Sequence, residues 1–506
     1  MPWILFISAI AMHTILSMRH GEDDSNAEAI SSDTSVKHVT LVNANADTVH
    51  PETNPGGKTP SEFDRCKFRS YPGHRYYEIG KPIMDQPSFL SDAKYVRGKL
   101  PVVLGSTSSP KKVCVDTHDW EDVQPGRYPF SDGQNPSVVS MSTDQEGGRL
   151  SSGVIMPLAN IYGAEKLQDM YLGVSVFGNA LCNWRMTPED LASWSYSDLE
   201  EAPEKRTVVT VLDEDMNNLG QATILLEHDA SWGTNRRKGD AIPAKKGEGY
   251  ERTVQSLDDP RFFFHSGQLY MLYRHGGRFG YENQVQNPVH FEQNGANAFV
   301  AFIRASETFV VCCGRNIALI SDSQGGELKA LTWVDPVTVI DVEADNLETP
   351  QRRLAGKEKS HIHGTNGYMV PLPSTSELLG IAHFHRPENR QKSLYALHGH
   401  HYTHALFTIA RNAVGEYKLK RLSNEFVFRS MSPAFLAVNP VVVDAETIQF
   451  SSGLDVVGSD VDGRLLLSYG VNDCEGIATF LDMAAVHDLL LDADGMEVVD
   501  LMAPPE

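Results

Sequence analysis

The sequence predicts an all-β fold, a sandwich, barrel or propeller, on two observations. Short apolar runs recur along most of the chain, and Gly, Asn, Asp and Pro punctuate them. The runs occupy 208–212, 268–273, 298–303, 308–311, 378–382, 404–409 and 464–469. Each is strand-length and rich in Val, Ile, Leu, Phe and Tyr. Helix signals are few. Thr187-Pro188-Glu189-Asp190 places Thr at a cap, Pro at the first helical position and acids in the first turn. A second helix is expected over 483–490.

Composition narrows the class. The chain has 506 residues, 41% of them hydrophobic, which is enough for a sizeable core. Its net charge of -22 argues against a nucleic-acid partner, because phosphate backbones demand a basic footprint. The six cysteines, Cys66, Cys114, Cys182, Cys312, Cys313 and Cys474, form no C-x-x-C pair, and no zinc site is expected. They read as buried free thiols rather than disulfides.

The N-terminus divides into two pieces. Residues 2–18 carry no charge and have the length of a signal-peptide core or a short membrane anchor. The run lacks a basic n-region, His13 interrupts it, and no A-x-A site follows. Residues 21–62 contain no aromatic side chain and are rich in Ser, Thr, Asn, Asp and Glu. Such a segment buries too little apolar surface to offset its ordering entropy, so a disordered N-terminal stem is expected. The expected boundaries are 1–20 for a signal peptide or signal anchor and 21–65 for the stem. An N-terminal extension over 66–130 then packs on the main domain, 131–492, and 493–506 form a tail. The expected location is secreted or in the Golgi or ER lumen, with a membrane tether open through the apolar segment.

The densest chemistry lies in Leu257-Asp258-Asp259-Pro260-Arg261-Phe262-Phe263-Phe264. Proline cannot donate to a sheet ladder, so Asp-Asp-Pro belongs at a strand start or in a loop. The aromatic run enters a strand and Ser266-Gly267 turns it back. Two adjacent carboxylates repel, an arrangement that suits one of them to proton donation, while Arg261 is expected to hold the other ionised. The same residues also fit a turn whose Asp side chains cap backbone amides.

This element resembles the Glu-Asp-Pro-Arg blade of glycoside hydrolase family 130. That family comprises inverting mannoside phosphorylases and hydrolases on five-bladed propellers, with related propellers associated with glycosyltransferases. Further pieces follow in the family's order. Asn135-Pro136-Ser137 resembles its first-blade Asn-Pro element. Gly380-Ile381-Ala382-His383-Phe384-His385 resembles the strand with a phosphate-facing His. Tyr402-Thr403-His404-Ala405-Leu406 and Phe450-Ser451-Ser452-Gly453 match two more elements. Ser468-Tyr469-Gly470-Val471-Asn472-Asp473 resembles Tyr-Gly-Ala-Ala-Asp. Asp258 stands where the family has Glu, and its Lys-Gly-Pro-Pro-Pro phosphate element is absent.

The resemblance implies a five-bladed β-propeller and inverting glycosyl transfer on β-mannoside-like glycans, to phosphate, water or a sugar acceptor. Asp259 would be the general acid. Asn135, Asp258, Arg261, Asp473, Tyr469, Tyr402 and His404 would bind substrate. An anion would meet Arg274, His383 and Arg386, with Arg278 nearby. A hydrolase would need a second carboxylate as base, for which Glu475 is the candidate. No cofactor or metal is implied; inorganic phosphate would be a co-substrate in the phosphorylase version. The expected partner is an oligosaccharide or glycan. Trp184, Trp333, Tyr273, Tyr281 and Tyr402 are candidates for stacking on sugars, with core packing the alternative for each. Two readings stand beside the enzyme: a non-catalytic glycan-binding propeller, and a glycosyltransferase using an activated sugar donor.

Overall fold

The computed structural model describes residues 76–78, 94–96, 102–105, 108, 110–116, 131–142, 152–177, 205–229, 250–274, 283–312, 316–321, 328–335, 337–342, 367–386, 401–428, 442–444, 449–458, 463–471, 475–493 and 498–500. All lie in one compact unit, Thr59–Glu506. The expected leader and stem, and the helix expected at Thr187, fall outside the described residues.

The described chain is mostly strand, in a β-propeller arrangement with four blades. The first blade runs Gln134–Ser140, Tyr171–Phe177, Arg206–Leu212 and Asn218–Asp229, each antiparallel to the next. The second contains Asp258–His265, Gln268–Arg274, Asn283–Pro288 and Phe309–Cys312. The third contains Val370–Pro371, Leu378–Arg386, His401–Arg411 and Tyr417–Leu422. The last contains Gln449–Val457, Arg464–Val471 and Glu475–Asp482, completed by Lys111–Lys112 from the N-terminal side. Between the second and third blades in sequence lies a three-stranded sheet, Ala318–Ser321, Leu328–Trp333 and Thr338–Asp341.

The apolar runs are continuous because both faces of these strands are covered. Successive side chains on a strand point to opposite faces. Phe262 joins the core shared with the first blade, and Phe263 the core shared with the three-stranded sheet. Ala382 packs towards the three-stranded sheet, and Ile381 towards the last blade. Leu465 and Leu467 face the third blade, while Leu466 turns to the first, meeting Val138, Tyr171 and Leu212. Where a strand lies outermost, alternation returns: in Tyr417–Leu422 the lysines Lys418 and Lys420 are exposed between partly covered neighbours.

Two helical elements were not foreseen. Ser152–Tyr162 and Ala164–Leu167 lie between the first two strands of the first blade. Leu158 is buried in the core, and Ile155, Ala159, Ile161 and Tyr162 pack against it. This is one apolar helix face, masked in the sequence by the surrounding strand signals. The C-terminal helix forms as expected, over Met483–Leu489.

The N-terminal strand also ties the last blade to the first. Lys112 and Lys111 pair with Ile477 and Ala478, and the Val113 amide donates to Gly476 O at 2.9 Å. Lys112 Nζ lies 3.0 Å from Glu475 Oε1, with side chains 1% and 0% exposed. On the other side, Asn218 Nδ2 donates to Cys114 O at 3.2 Å and the Asp116 amide to Gln221 Oε1 at 2.8 Å. Cys114 is disulfide-bonded, which corrects the free-thiol expectation at that residue.

A buried ion pair is costly to break, because the surviving charge is left without compensation. Lys112→Met should therefore lower the unfolding free energy by about 3–5 kcal/mol. Adding Glu475→Leu should return most of that loss; urea denaturation of the single and double variants measures both.

Candidate functional site

The site starts from a backbone irregularity that the sequence dictates. Asn135 precedes Pro136 and Asp259 precedes Pro260, at the starts of the innermost strands of the first two blades. Proline removes a ladder donor, and the pairing register shifts at both places, between Gln134 and Ser137 and between Asp258 and Arg261. Asn135 and Asp259 take φ values of 46° and 50°. Asn and Asp reach this left-handed region most readily among residues with a side chain. Asn316 (φ 61°) precedes the three-stranded sheet and Gly367 (φ 98°) the third blade in the same way. Four successive sheets thus enter their inner strand through a left-handed residue.

Hydrogen bonds then fasten the inner strand of the first blade to the inner strand of the second and to the first two strands of the last. The Phe262 amide donates to Ser137 Oγ at 2.9 Å, and the Val138 amide to Ser468 Oγ at 3.0 Å. The Ser140 amide donates to the buried carboxylate of Asp455 at 2.8 Å, and Ser452 Oγ to the Pro136 carbonyl at 2.6 Å.

Arg261 is 2% exposed and reaches across the assembly. Its Nη2 donates to Asn316 Oδ1 at 2.7 Å, and its guanidinium carbon lies 4.7 Å from the centre of the Phe450 ring. Its stem passes over Gly367, where a Cβ would collide with Arg261 Cδ. One side chain therefore touches residues of the three-stranded sheet, the third blade and the last blade.

The carboxylates are held by a different cation. Arg274 Nη2 lies 3.4 Å from Asp259 Oδ2 and 3.8 Å from Asp258 Oδ2. The expectation that Arg261 pairs with the acids is corrected: the register shift after Asp258 turns Arg261 inward, while Arg274 sits directly across from Asp258. Arg274 was expected to bind an anion; in the structure it lies against two carboxylates. Asp258 and Asp259 keep 34% and 28% of their side-chain surface, and Arg274 keeps 11%.

Further residues expected at the site lie on the third and last blades. His383 is half-buried, edge-on to Tyr402 at 5.8 Å and to Phe450 at 5.3 Å. His404, directly across from His383 in the ladder, is fully buried with its ring 4.4 Å from Phe428. Phe428 stacks in turn on the buried Tyr469 at 4.4 Å. His404 and Tyr469 were expected to touch substrate; both are buried and packed against Phe428. Asn135 is buried as well, its side chain seated where Gly470 has no Cβ. Glu475, the candidate hydrolytic base, is sealed in its pair with Lys112. Tyr273 is a core residue whose hydroxyl donates to Asn287 at 2.8 Å. Asp473, Arg278, Trp184 and Tyr281, and the side chain of Arg386, lie outside the described residues.

Arg261 links the strand that carries Asp258 and Asp259 to Phe450, and Phe450 meets His383. Phe450 and Asn316 were not among the residues expected at the site. A left-handed Asn just ahead of an apolar run was the available signal for Asn316.

No family model matches the chain, and no curated protein matches it. Among solved structures it is similar to a GDP-Man-dependent mannosyltransferase, MPT-1, from Leishmania mexicana, at 12% identity and TM-score 0.29, over 62% of this chain and 80% of that one. It is similar to a mannose phosphorylase, MPT-4, from the same organism, at 12% identity and TM-score 0.26, over 67% and 85%. It is also similar to an alpha-L-arabinanase of Cellvibrio cellulosa, at 11% and 0.27, over 62% and 88%. TM-scores this low assign no activity to the chain.

Gly367 tests the placement of Arg261. Gly367→Ala combines left-handed strain with a collision and should cost about 3 kcal/mol. Gly415→Ala has the same kind of strain (φ 86°) but open space around the added methyl, and should cost about 1 kcal/mol. Equilibrium denaturation of the two variants makes the comparison.

Proposed function

We propose that this chain is a carbohydrate-active five-bladed propeller in which the three-stranded sheet is the fifth blade. The closed sequence of cores supports that count. Apolar clusters join the first and second sheets, the second and third, the third and fourth, the fourth and fifth, and the fifth back to the first.

The proposed reaction is inverting glycosyl transfer on a β-mannoside-like glycan, with Asp259 as general acid. The observation that carries it is the pair of partly exposed carboxylates held by Arg274 on a left-handed bulge. Strained backbone at such a position is a recurrent mark of functional sites. The family resemblance of Asp258-Asp259-Pro260-Arg261 adds the role of Asp259. With Glu475 committed to Lys112, one protein carboxyl suffices where phosphate is the nucleophile; a water or sugar-hydroxyl nucleophile would need a second base to take its proton. Asp258 and Tyr402 would orient sugar hydroxyls, with Asp473 joining them.

A non-catalytic glycan-binding reading draws support from the same ion pair. Carboxylates bridged by a guanidinium accept hydroxyl hydrogens without any turnover. The disulfide at Cys114 supports a secretory or extracellular location, because disulfides persist in oxidising compartments.

Asp259→Asn should reduce sugar release from mannan oligosaccharides by about a thousandfold, the scale of a lost general acid, while binding stays measurable. Release assays with phosphate, water or a sugar acceptor, run beside calorimetric binding, read both quantities. Wild-type binding without turnover under every condition would establish the non-catalytic reading instead.

A further inference from the structure

Phe450 stands out on its strand. Along Gln449–Val457 every residue is buried except Phe450 and the terminal Val457. A large aromatic that served only to fill the core would be the most covered residue there, yet this one keeps part of its surface. Its cross-strand partner is Gly470, which brings no side chain alongside it. The space above Gly470 is taken by Asn135 from the first blade.

Two neighbours define what the ring does. The Arg261 guanidinium lies over it at 4.7 Å, and His383 meets it at 5.3 Å with the ring planes 65° apart. The guanidinium is buried, so the ring covers a permanent cation. The ring face beneath that cation is closed to a sugar, and the cation draws on its π density. Stacking a sugar on Phe450 is thereby disfavoured. The contact that is left is the one to His383, whose imidazole is edge-on to Tyr402 as well. An imidazole held edge-on between two rings has one preferred orientation, and each such contact contributes about 0.5–1.5 kcal/mol.

We infer that Phe450 is a positioning residue: anchored by Arg261, its ring fixes the His383 imidazole in the orientation from which His383 meets the ligand. The inference rests on the reading of this pocket as a glycan site and assigns it the residue that sets His383. Phe450 itself makes no reacting contact. Tyr keeps the ring and its contacts. Leu keeps apolar bulk without them.

The test uses the full chain labelled at the histidine ring carbons, with the His383 signal assigned by its loss in His383→Ala. In wild type and Phe450→Tyr, a single His383 resonance is expected, shifting on addition of β-1,4-mannobiose. In Phe450→Leu that resonance should move and broaden, and mannobiose affinity should fall up to about tenfold, one ring contact's worth. An unmoved His383 resonance in Phe450→Leu overturns the inference. So does a Phe450→Tyr variant as impaired as Phe450→Leu, which would make side-chain shape the only requirement. Failure of the underlying reading looks different: His383→Ala would bind mannobiose as wild type does, while the ligand-free resonances still decide whether Phe450 orients the ring.

Discussion

The guanidinium of Arg261 is the interaction on which the site depends. A charge placed in the interior is tolerated only where hydrogen bonds and polarisable neighbours replace water. Asn316 supplies an oxygen and Phe450 a ring face, from two different sheets, and Gly367 leaves room on a third. Sheets that meet through one buried cation hold a definite relation to one another at their inner ends. With Arg261 turned inward, Arg274 is the guanidinium that lies against the two acids.

Closure of the ring supports this arrangement from the outside. The Lys111–Lys112 strand hydrogen-bonds to the last blade, and its buried Lys112–Glu475 pair fixes where it docks. The residues that follow it bond to the first blade through Asn218 and Gln221. Among the described residues this strand joins the last blade to the first. The inner strands then keep the spacing that lets Ser137, Ser468 and Asp455 bridge between blades.

Much of the strand pattern was legible because each strand serves two cores. Phe262 and Phe263, or Leu465, Leu466 and Leu467, read as unbroken apolar runs for that reason. The bulge at Asp258-Asp259-Pro260 was legible too, since proline announces the interruption of the ladder. The helix Ser152–Tyr162 was not, because its apolar face is short and lies among strand-like residues. Nor was the disulfide state of Cys114, which depends on proximity across the fold rather than on spacing in the chain.

The amino-acid sequence by itself determined the strands, the proline-imposed irregularities at Asn135 and Asp259, and the pairing of two acids at one strand start. These follow from local chemistry: side-chain branching, a missing amide donor, and adjacency in the chain. The tertiary structure alone decided which groups face outward. It left His383 half-buried and put His404 in the core although the two are cross-strand partners. It gave the acids to Arg274 instead of Arg261, and it enclosed Glu475 against Lys112. Each outcome depends on what packs against a residue from another sheet, and no local rule carries that information.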